Sequence, residues 1–253
     1  MTQAFYDDLA PYYHLLYGDW DNAVSEQGLA LSALLRELGV VPGAAIHDGA
    51  CGIGTQTLGL LDAGYRVSAS DLSAGAVERL RLELSKRKLQ AETFVDDLRS
   101  LDGLAAGSRA AILACDNSIP HLLSDAEILA SFRSCYRCLE PGGFAVISVR
   151  DYDRIERKSP DVRPYGLRYE GANRFLAVQA WEWDGDQYDL RMYLTSESAT
   201  GECVTRMLKS RYYAVSVDRL IALLREAGFA GVQRRDDVLF QPVIFGQRPA
   251  TGG

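Results

Sequence analysis

The sequence predicts an α/β protein with a doubly wound, mostly parallel seven-stranded sheet and an antiparallel β insertion. Three observations carry that prediction. Between residues 44 and 150, short apolar runs alternate with helix-patterned stretches, as parallel strands joined by crossover helices require. Asp48, Asp71, Asp97, Asp116 and Arg150 fall in turn at the carboxyl ends of those runs, the edge where open parallel sheets bind ligands. Beyond Arg150 the alternation stops, and strand-like runs follow one another without helices.

The elements follow in order. Residues 5–38 are expected to be helical, with Leu29, Leu31, Leu34, Leu35 and Leu38 on a buried face and Gly39 ending it. Pro42-Gly43 marks a turn into a strand at 44–48, and a Gly-rich turn leads to a helix through residue 62. A second strand spans 66–71. Ser73 then caps a helix to about residue 88, whose mixed charges suit a solvated face. Strands are expected at 92–96 and 110–114. A helix over 125–139 stops at Pro141-Gly142-Gly143, before a fifth strand at 144–149. Residues 151–173, with Pro160 and Pro164, are expected to be irregular. Antiparallel strands follow at 174–183, 187–195 and 202–213, with a turn at Asp184-Gly185-Asp186. A helix at 217–227 stops at Gly228, and 232–236 with 243–247 close the sheet as a hairpin. The expected organisation is a helical cap at 1–43, a core at 44–150 and 214–248, and a β insertion at 151–213 lying over the active edge as a lid.

Composition narrows the function. The chain has 253 residues, 47% apolar and 24% charged, with net charge −7, which suits an ordinary globular protein and disfavours a nucleic-acid partner. No apolar run reaches the ~20 residues of a membrane span, and the N-terminus carries acids and aromatics in place of a secretion signal. A cytoplasmic location is expected. Cys51, Cys115, Cys135, Cys138 and Cys203 are odd in number and scattered, as reduced thiols are; Cys135 and Cys138 share a helix face and read as packed thiols. No metal site is expected. The expected partner is a small molecule, and the expected state a monomer or homodimer.

The Gly-rich turn carries the most chemistry. It runs Asp48-Gly49-Ala50-Cys51-Gly52-Ile53-Gly54 between a strand and a helix, and Asp71 closes the next strand. Strand, turn, helix and acid make a nucleoside-cofactor site. A dinucleotide fingerprint needs a third Gly where Thr57 stands, and Asp48 would repel a pyrophosphate. S-adenosylmethionine, with an ammonium, a sulfonium and a ribose, suits these residues better. Asp48 would serve its charged end and Asp71 both ribose hydroxyls. Leu72 would pack on one adenine face. Asp97, with Leu98, would meet the adenine amino group, with Asp96 as the alternative one residue away. Backbone around Ala50, Cys51, Gly52 and Gly54, and around Asp116, would hold the methionine moiety, with Asn117 and Ser118 in the same wall. Tyr13, Tyr17 and Trp20 can offer ring faces to the sulfonium, or can be amphipathic packing. A tight turn with a capping acid is the competing reading of 48–54.

With these residues the chain resembles the class I S-adenosylmethionine-dependent methyltransferases, whose usual turn is Asp/Glu-x-Gly-x-Gly-x-Gly. Ala50 stands at the first family glycine, and Asp71, Asp97 and Pro141-Gly142-Gly143 continue the match. The resemblance implies a Rossmann-like methyltransferase fold, S-adenosyl-L-methionine as donor and S-adenosyl-L-homocysteine as product. Three segments are similar to the narrower glycine and sarcosine N-methyltransferase group: Cys51-Gly52-Ile53-Gly54-Thr55-Gln56, Asp116-Asn117-Ser118-Ile119-Pro120-His121-Leu122, and Arg150-Asp151-Tyr152-Asp153, where the group has Arg-Asn-Tyr-Asp. The aromatic N-terminus, Tyr6, Tyr12, Tyr13, Tyr17 and Trp20, also resembles segments that fold over the cofactor in this group.

The resemblance implies that Arg150 binds a substrate carboxylate; an ion pair with Asp151 or Asp153 is the alternative. His121, Arg150 and Tyr152 are the catalytic candidates, His121 as the polar residue nearest the acceptor and as the base that an oxygen acceptor would need. Trp181, Trp183, Tyr188 and Tyr193 are candidate acceptor-pocket residues. The expected reaction is methyl transfer to an amine nitrogen of a small carboxylate-bearing molecule. O- or C-methylation of an aromatic metabolite, and a non-catalytic cofactor-binding role, are the alternatives.

Overall fold

The structure is a computed structural model and describes residues 2–250. Its N-terminal segment is not one helix, as 5–38 predicted, but three pieces: α1 (Thr2–Leu9), a 3₁₀ turn (Tyr13–Leu16) and α2 (Trp20–Glu37). Pro11 supplies no N–H and disfavours helical backbone just before it. Asp19 then adopts extended backbone and accepts from the Asn22 N–H at 3.0 Å, restarting the chain as α2. The interruption frees the aromatic residues 12–17 to turn toward the sheet edge.

The alternating region folds as β1 (Ala45–Asp48), α3 (Thr55–Asp62), β2 (Arg66–Asp71), α4 (Ala74–Arg87), β3 (Glu92–Val95), β4 (Arg109–Ala114), α5 (Asp125–Cys138) and β5 (Leu139–Ser148). Pro141-Gly142-Gly143 does not form a separate turn before the strand. β5 begins at Leu139 directly after α5, and its pairing with β4 shifts from Arg109↔Leu139 to Ala111↔Phe144, so the three residues are absorbed as an irregularity in the ladder.

The insertion holds four strands: β6 (Asp161–Glu170), β7 (Asn173–Asp184), β8 (Gln187–Glu197) and β9 (Cys203–Tyr213). β6 falls where the sequence predicts irregular chain. It is an edge strand, where Pro164 is tolerated, and its register slips between Pro164 and Gly166. After α6 (Val217–Glu226), β10 (Ala230–Arg235) and β11 (Val243–Gln247) complete the large sheet in the order β10-β11-β5-β4-β1-β2-β3. Only β11 runs against its neighbours.

Both faces of the large sheet are covered, as a doubly wound sheet needs. Ile112 and Ala114 of β4 pack toward α5 and α6, in a core continuous with the inner face of the insertion sheet. The alternate residues Ala111 and Leu113 pack toward α2. α2 and α3 cross at two glycines: a Cβ on Gly28 would lie 2.5 Å from Gly59 Cα, and one on Gly59 2.4 Å from Val24 O. That close approach brings α2 over the carboxyl edge of the sheet. No helix among the described residues is long and apolar enough to cross a membrane.

Candidate functional site

The Gly-rich turn leaves β1 at its carboxyl end. Gly52 takes φ +52 and Gly54 φ +101, backbone that glycine adopts without strain. A Cβ at Gly52 would meet no heavy atom within 4 Å, so the backbone there faces open space. That space is a cavity of about 110 Å³ over the ends of β1 to β4, bordered by Gly49 to Gly52, Asp71, Leu72, Asp96 to Leu98, Cys115, Asp116, Ser118 and His121.

Asp71 is fixed there by backbone: its Oδ2 accepts from Gly52 N–H and its Oδ1 from Ser73 N–H, each at 2.9 Å. Each oxygen keeps a lone pair for a further donor. Burial holds the Asp71 carboxyl above its ordinary value. Ser118 Oγ is buried with no partner among the described residues and borders the same cavity. A vicinal diol on Asp71, with a planar ring between Leu72 and Leu98, fits this donor and acceptor set, so the residues suit S-adenosylmethionine. Asp97 is less available than its position suggests, because Arg99 binds both its oxygens at 2.6–3.0 Å and also reaches Glu127. Asp96 accepts from the backbone N–H groups of Asp97 and Gly103.

A second cavity, of about 510 Å³, adjoins the first and shares Tyr6, Tyr13 and Asp116 with it. Its floor holds Arg150, Tyr165, Gln179, Met192 and Tyr212; its outer wall holds α2 residues Ala23, Glu26, Gln27 and Ala30, and Val238 to Phe240. The Arg150 guanidinium has no carboxylate within salt-bridge reach among the described residues. It lies 5.4 Å from the Trp181 ring centroid and donates to Tyr165 Oη at 3.3 Å. The ion pair considered for it with Asp151 or Asp153 does not form: Asp151 pairs instead with Arg234 at 2.6 Å and with Arg154 at 3.2 Å.

Trp181 sets the orientation of the next group. Its indole N–H can only donate, and it reaches Gln179 Oε1 at 2.8 Å, so Gln179 turns its amide nitrogen to Tyr165 Oη at 3.3 Å. Tyr165 therefore accepts from both Arg150 and Gln179, and its own proton is left to donate into the cavity.

At the junction of the cavities Asp116 and Asn117 both occupy left-handed backbone, φ +54 and +64, which costs a non-glycine residue energy and is retained where the surroundings impose it. The Asp116 N–H donates to Ser148 Oγ at 2.7 Å and the Asn117 N–H to Ser148 O at 3.0 Å. Tyr13 and Tyr17 donate to Asp116 Oδ2 at 3.1 and 2.9 Å. Burial, reinforced by that carboxylate, raises both phenol pKa values, so both remain donors.

Several candidates stand elsewhere than the sequence reading placed them. Asp48 borders neither cavity. It is buried beneath the turn, accepts from Thr57 Oγ1 at 2.7 Å and keeps Oδ1 without a partner among the described residues; burial first, and Asp71 nearby, push its pKa up to about 7. Gly54 shapes the turn as the α3 N-cap and does not line the cavity. Trp20 faces away, bonding Thr55 Oγ1 at 3.0 Å under the Arg87 guanidinium. Tyr152 is buried behind the wall, where its hydroxyl contacts Asn117 and Tyr188, so it supports Asn117 and touches no cavity. Trp181 and Tyr188 stack at 4.2 Å inside the insertion's core, beside Trp183, and Tyr193 lies on the outer face of β8.

His121 borders the first cavity. Its Nε2 is 2.8 Å from Tyr6 Oη, its Nδ1 is 3.4 Å from Ser210 Oγ, and its ring lies 4.0 Å from that of Tyr212. Burial first, and the Arg150 charge second, push its pKa down to about 3.

The residues that sequence reasoning missed, Tyr165, Gln179, Met192 and Tyr212, come from the insertion strands. Among the described residues no group of three or more His, Cys, Asp or Glu side chains is placed to hold a metal ion.

Comparison with known proteins agrees with this geometry. The family described as a methyltransferase domain matches residues 46–143. A glycine/sarcosine N-methyltransferase of Halorhodospira halochloris is 29% identical over 137 residues, covering 54% of this chain and 50% of that protein. The chain thus spans about half the length of the curated glycine/sarcosine relatives it matches. Streptomyces venezuelae DesVI shares the fold with TM-score 0.81 at 17% identity, over 96% of this chain and 98% of that one. A sugar N-methyltransferase from Streptoalloteichus does so with TM-score 0.74 at 19% identity, over 89% of this chain and 88% of that one. The matched domain contains the Gly-rich turn, Asp71 and the strand ends that build the first cavity, so over residues 46–143 the chain resembles known methyltransferase domains, on a fold it shares with these neighbours.

Proposed function

We propose that the chain transfers the methyl group of S-adenosylmethionine to an amine nitrogen of a small, carboxylate-bearing acceptor. The observation that carries this reading is Arg150, a charged fork in the wall of the larger cavity with no carboxylate within salt-bridge reach among the described residues. Such a charge is costly without a partner. A planar carboxylate can accept from the fork and from the free Tyr165 proton together.

S-adenosylmethionine bound over the Gly-rich turn supplies an electrophilic methyl on sulfur. Asp71 would hold the ribose, and Leu72 and Leu98 the adenine faces. Arg150 and Tyr165 would hold the acceptor from the adjoining cavity. Methyl transfer needs a short, aligned approach of a lone pair, and fixing both partners supplies much of the rate. An oxygen acceptor would also need a base. His121, with its pKa near 3 and its Nε2 facing Tyr6, is a weak one, which favours nitrogen. The same reading has a free small molecule as partner, a monomer or homodimer as the working state, and the cytoplasm as the compartment.

The test is incubation with methyl-labelled cofactor and a panel of amino acids, amines lacking a carboxylate, and phenols. Label is expected in carboxylate-bearing amines. Label confined to phenols would replace this reading with O-methylation, and label in no acceptor, with cofactor bound, would favour a binding protein.

A further inference from the structure

We infer that the Asp116 side chain holds the acceptor's amine, making the larger cavity a two-point receptor for a zwitterion. This rests on the proposed reading of the site and adds the residue that selects the nitrogen. Asp116 borders both cavities, so its carboxylate stands where the methyl donor and the acceptor must meet.

Its two oxygens differ. Oδ2 is occupied by Tyr13 and Tyr17, while Oδ1 has no hydrogen-bond partner, and no cation pairs with Asp116, among the described residues. The left-handed φ of +54 at a non-glycine position shows that the surrounding structure imposes this backbone. The tyrosine pair then aims the carboxylate. An amine N–H donated to Oδ1 would satisfy it, and a secondary or primary amine has one to give.

The opposite charge is supplied by Arg150 in the same cavity. A negative point and a positive point select a molecule carrying an ammonium or amine and a carboxylate. A cavity of about 510 Å³ exceeds what the smallest amino acid fills, and Leu9, Leu16, Met192 and Leu239 supply apolar wall. The acceptor class is therefore an amino acid larger than glycine, with an apolar portion for that wall.

In the reaction the zwitterion's ammonium first gives a proton to solvent; the lone pair of the resulting amine then forms the N–C bond while the C–S pair stays on sulfur. The nitrogen becomes cationic and keeps its proton until solvent removes it. Asp116 orients the amine before the step and is attracted to the cationic nitrogen after it.

The experiment compares wild type with Asp116→Asn and Asp116→Gly, both of which tolerate left-handed backbone. Calorimetry would measure S-adenosylhomocysteine binding, then binding of phenylalanine and leucine, and of 3-phenylpropionate and 4-methylpentanoate, which lack the amine, to that complex. Phosphoethanolamine would separate a phosphate-bearing amine from a carboxylate-bearing one. Labelled transfer to the amino acids gives kcat and KM. Expected are a fall of roughly 10- to 100-fold in amino-acid affinity, unchanged affinity for the des-amino acids and unchanged S-adenosylhomocysteine binding.

Loss of S-adenosylhomocysteine affinity would assign Asp116 to the cofactor and overturn the inference. Equal losses for amino and des-amino acids would overturn it as well. Amine methylation by wild type that Asp116→Asn leaves intact would defeat the inference alone. Wild-type label in phenols only, or no binding of any amino acid by wild type, would defeat the underlying reading and the inference with it.

Discussion

The Tyr17 hydroxyl donates to Asp116 Oδ2 at 2.9 Å, joining the turn after the N-terminal 3₁₀ segment to the carboxyl end of β4. Tyr13 reaches the same oxygen at 3.1 Å. The N-terminal segment is thereby a structural wall of the site. For Tyr17→Phe, unfolding in denaturant should show a loss of roughly 1.5–3 kcal/mol, the scale of a hydrogen bond to a charged group. Limited proteolysis should cut sooner within residues 2–19. Wild-type stability and wild-type protection together would mean that the contact does not anchor the segment.

Asp71→Asn tests the ribose assignment. The amide keeps one acceptor for the Gly52 N–H but loses the charge and one acceptor oxygen. S-adenosylhomocysteine affinity by calorimetry should fall roughly 10- to 100-fold. Unchanged affinity would remove Asp71 from the cofactor site.

Arg150→Lys keeps a charge but loses the planar fork and its stacking near Trp181. The KM of a carboxylate-bearing acceptor should rise roughly tenfold or more, with S-adenosylhomocysteine binding unchanged. A variant that instead loses cofactor affinity would place Arg150 on the cofactor side.

Asp48 gives a prediction in pH. Its pKa is about 7 in the folded chain, raised chiefly by burial, against roughly 3.9 in an unfolded one. Between these values the folded state holds a proton that the unfolded state has lost. The stability that protonated Asp48 brings is thus fully present below about pH 4 and is lost as pH rises through about 7. Asp48→Asn cannot ionise. Its stability relative to wild type should rise by up to about 4 kcal/mol between pH 4 and pH 8. His121, with a depressed pKa of about 3, acts in the opposite sense in both proteins: its stabilisation is full above about pH 6.5 and falls as pH drops toward 3. A pH-independent difference between Asp48→Asn and wild type would contradict an ionisable Asp48 buried in this way.

The first cavity was largely legible because its residues are local to strand ends. Asp71 ends β2 and Leu72 follows it, Asp96, Asp97 and Leu98 follow β3 directly, and parallel topology alone brings them to one edge. Asp48 shows the limit of that logic: as the last residue of β1, its side chain points into the sheet's packing and not at the cavity. Trp20 was misplaced because Pro11 and Asp19 divide one apparent helix into pieces, which turns Tyr13 and Tyr17 inward and Trp20 against α3. In the insertion, residue type did not predict location. Trp181 and Tyr188 are core, while the polar Gln179 lines the cavity.

Strand and helix alternation, the Gly-rich turn and the strand-end acids depend on local periodicity and short spacing, so the sequence by itself determined the fold and the edge that carries the first cavity. The larger cavity depends on where a four-stranded sheet folds back over that edge, and on which side of each strand then faces it. Side chains alternate with a period of two, so a single residue of register decides between cavity and solvent. Tertiary packing alone therefore chose Tyr165, Gln179 and Tyr212 to face Arg150. It also brought Tyr13 and Tyr17, about 100 residues away along the chain, onto Asp116.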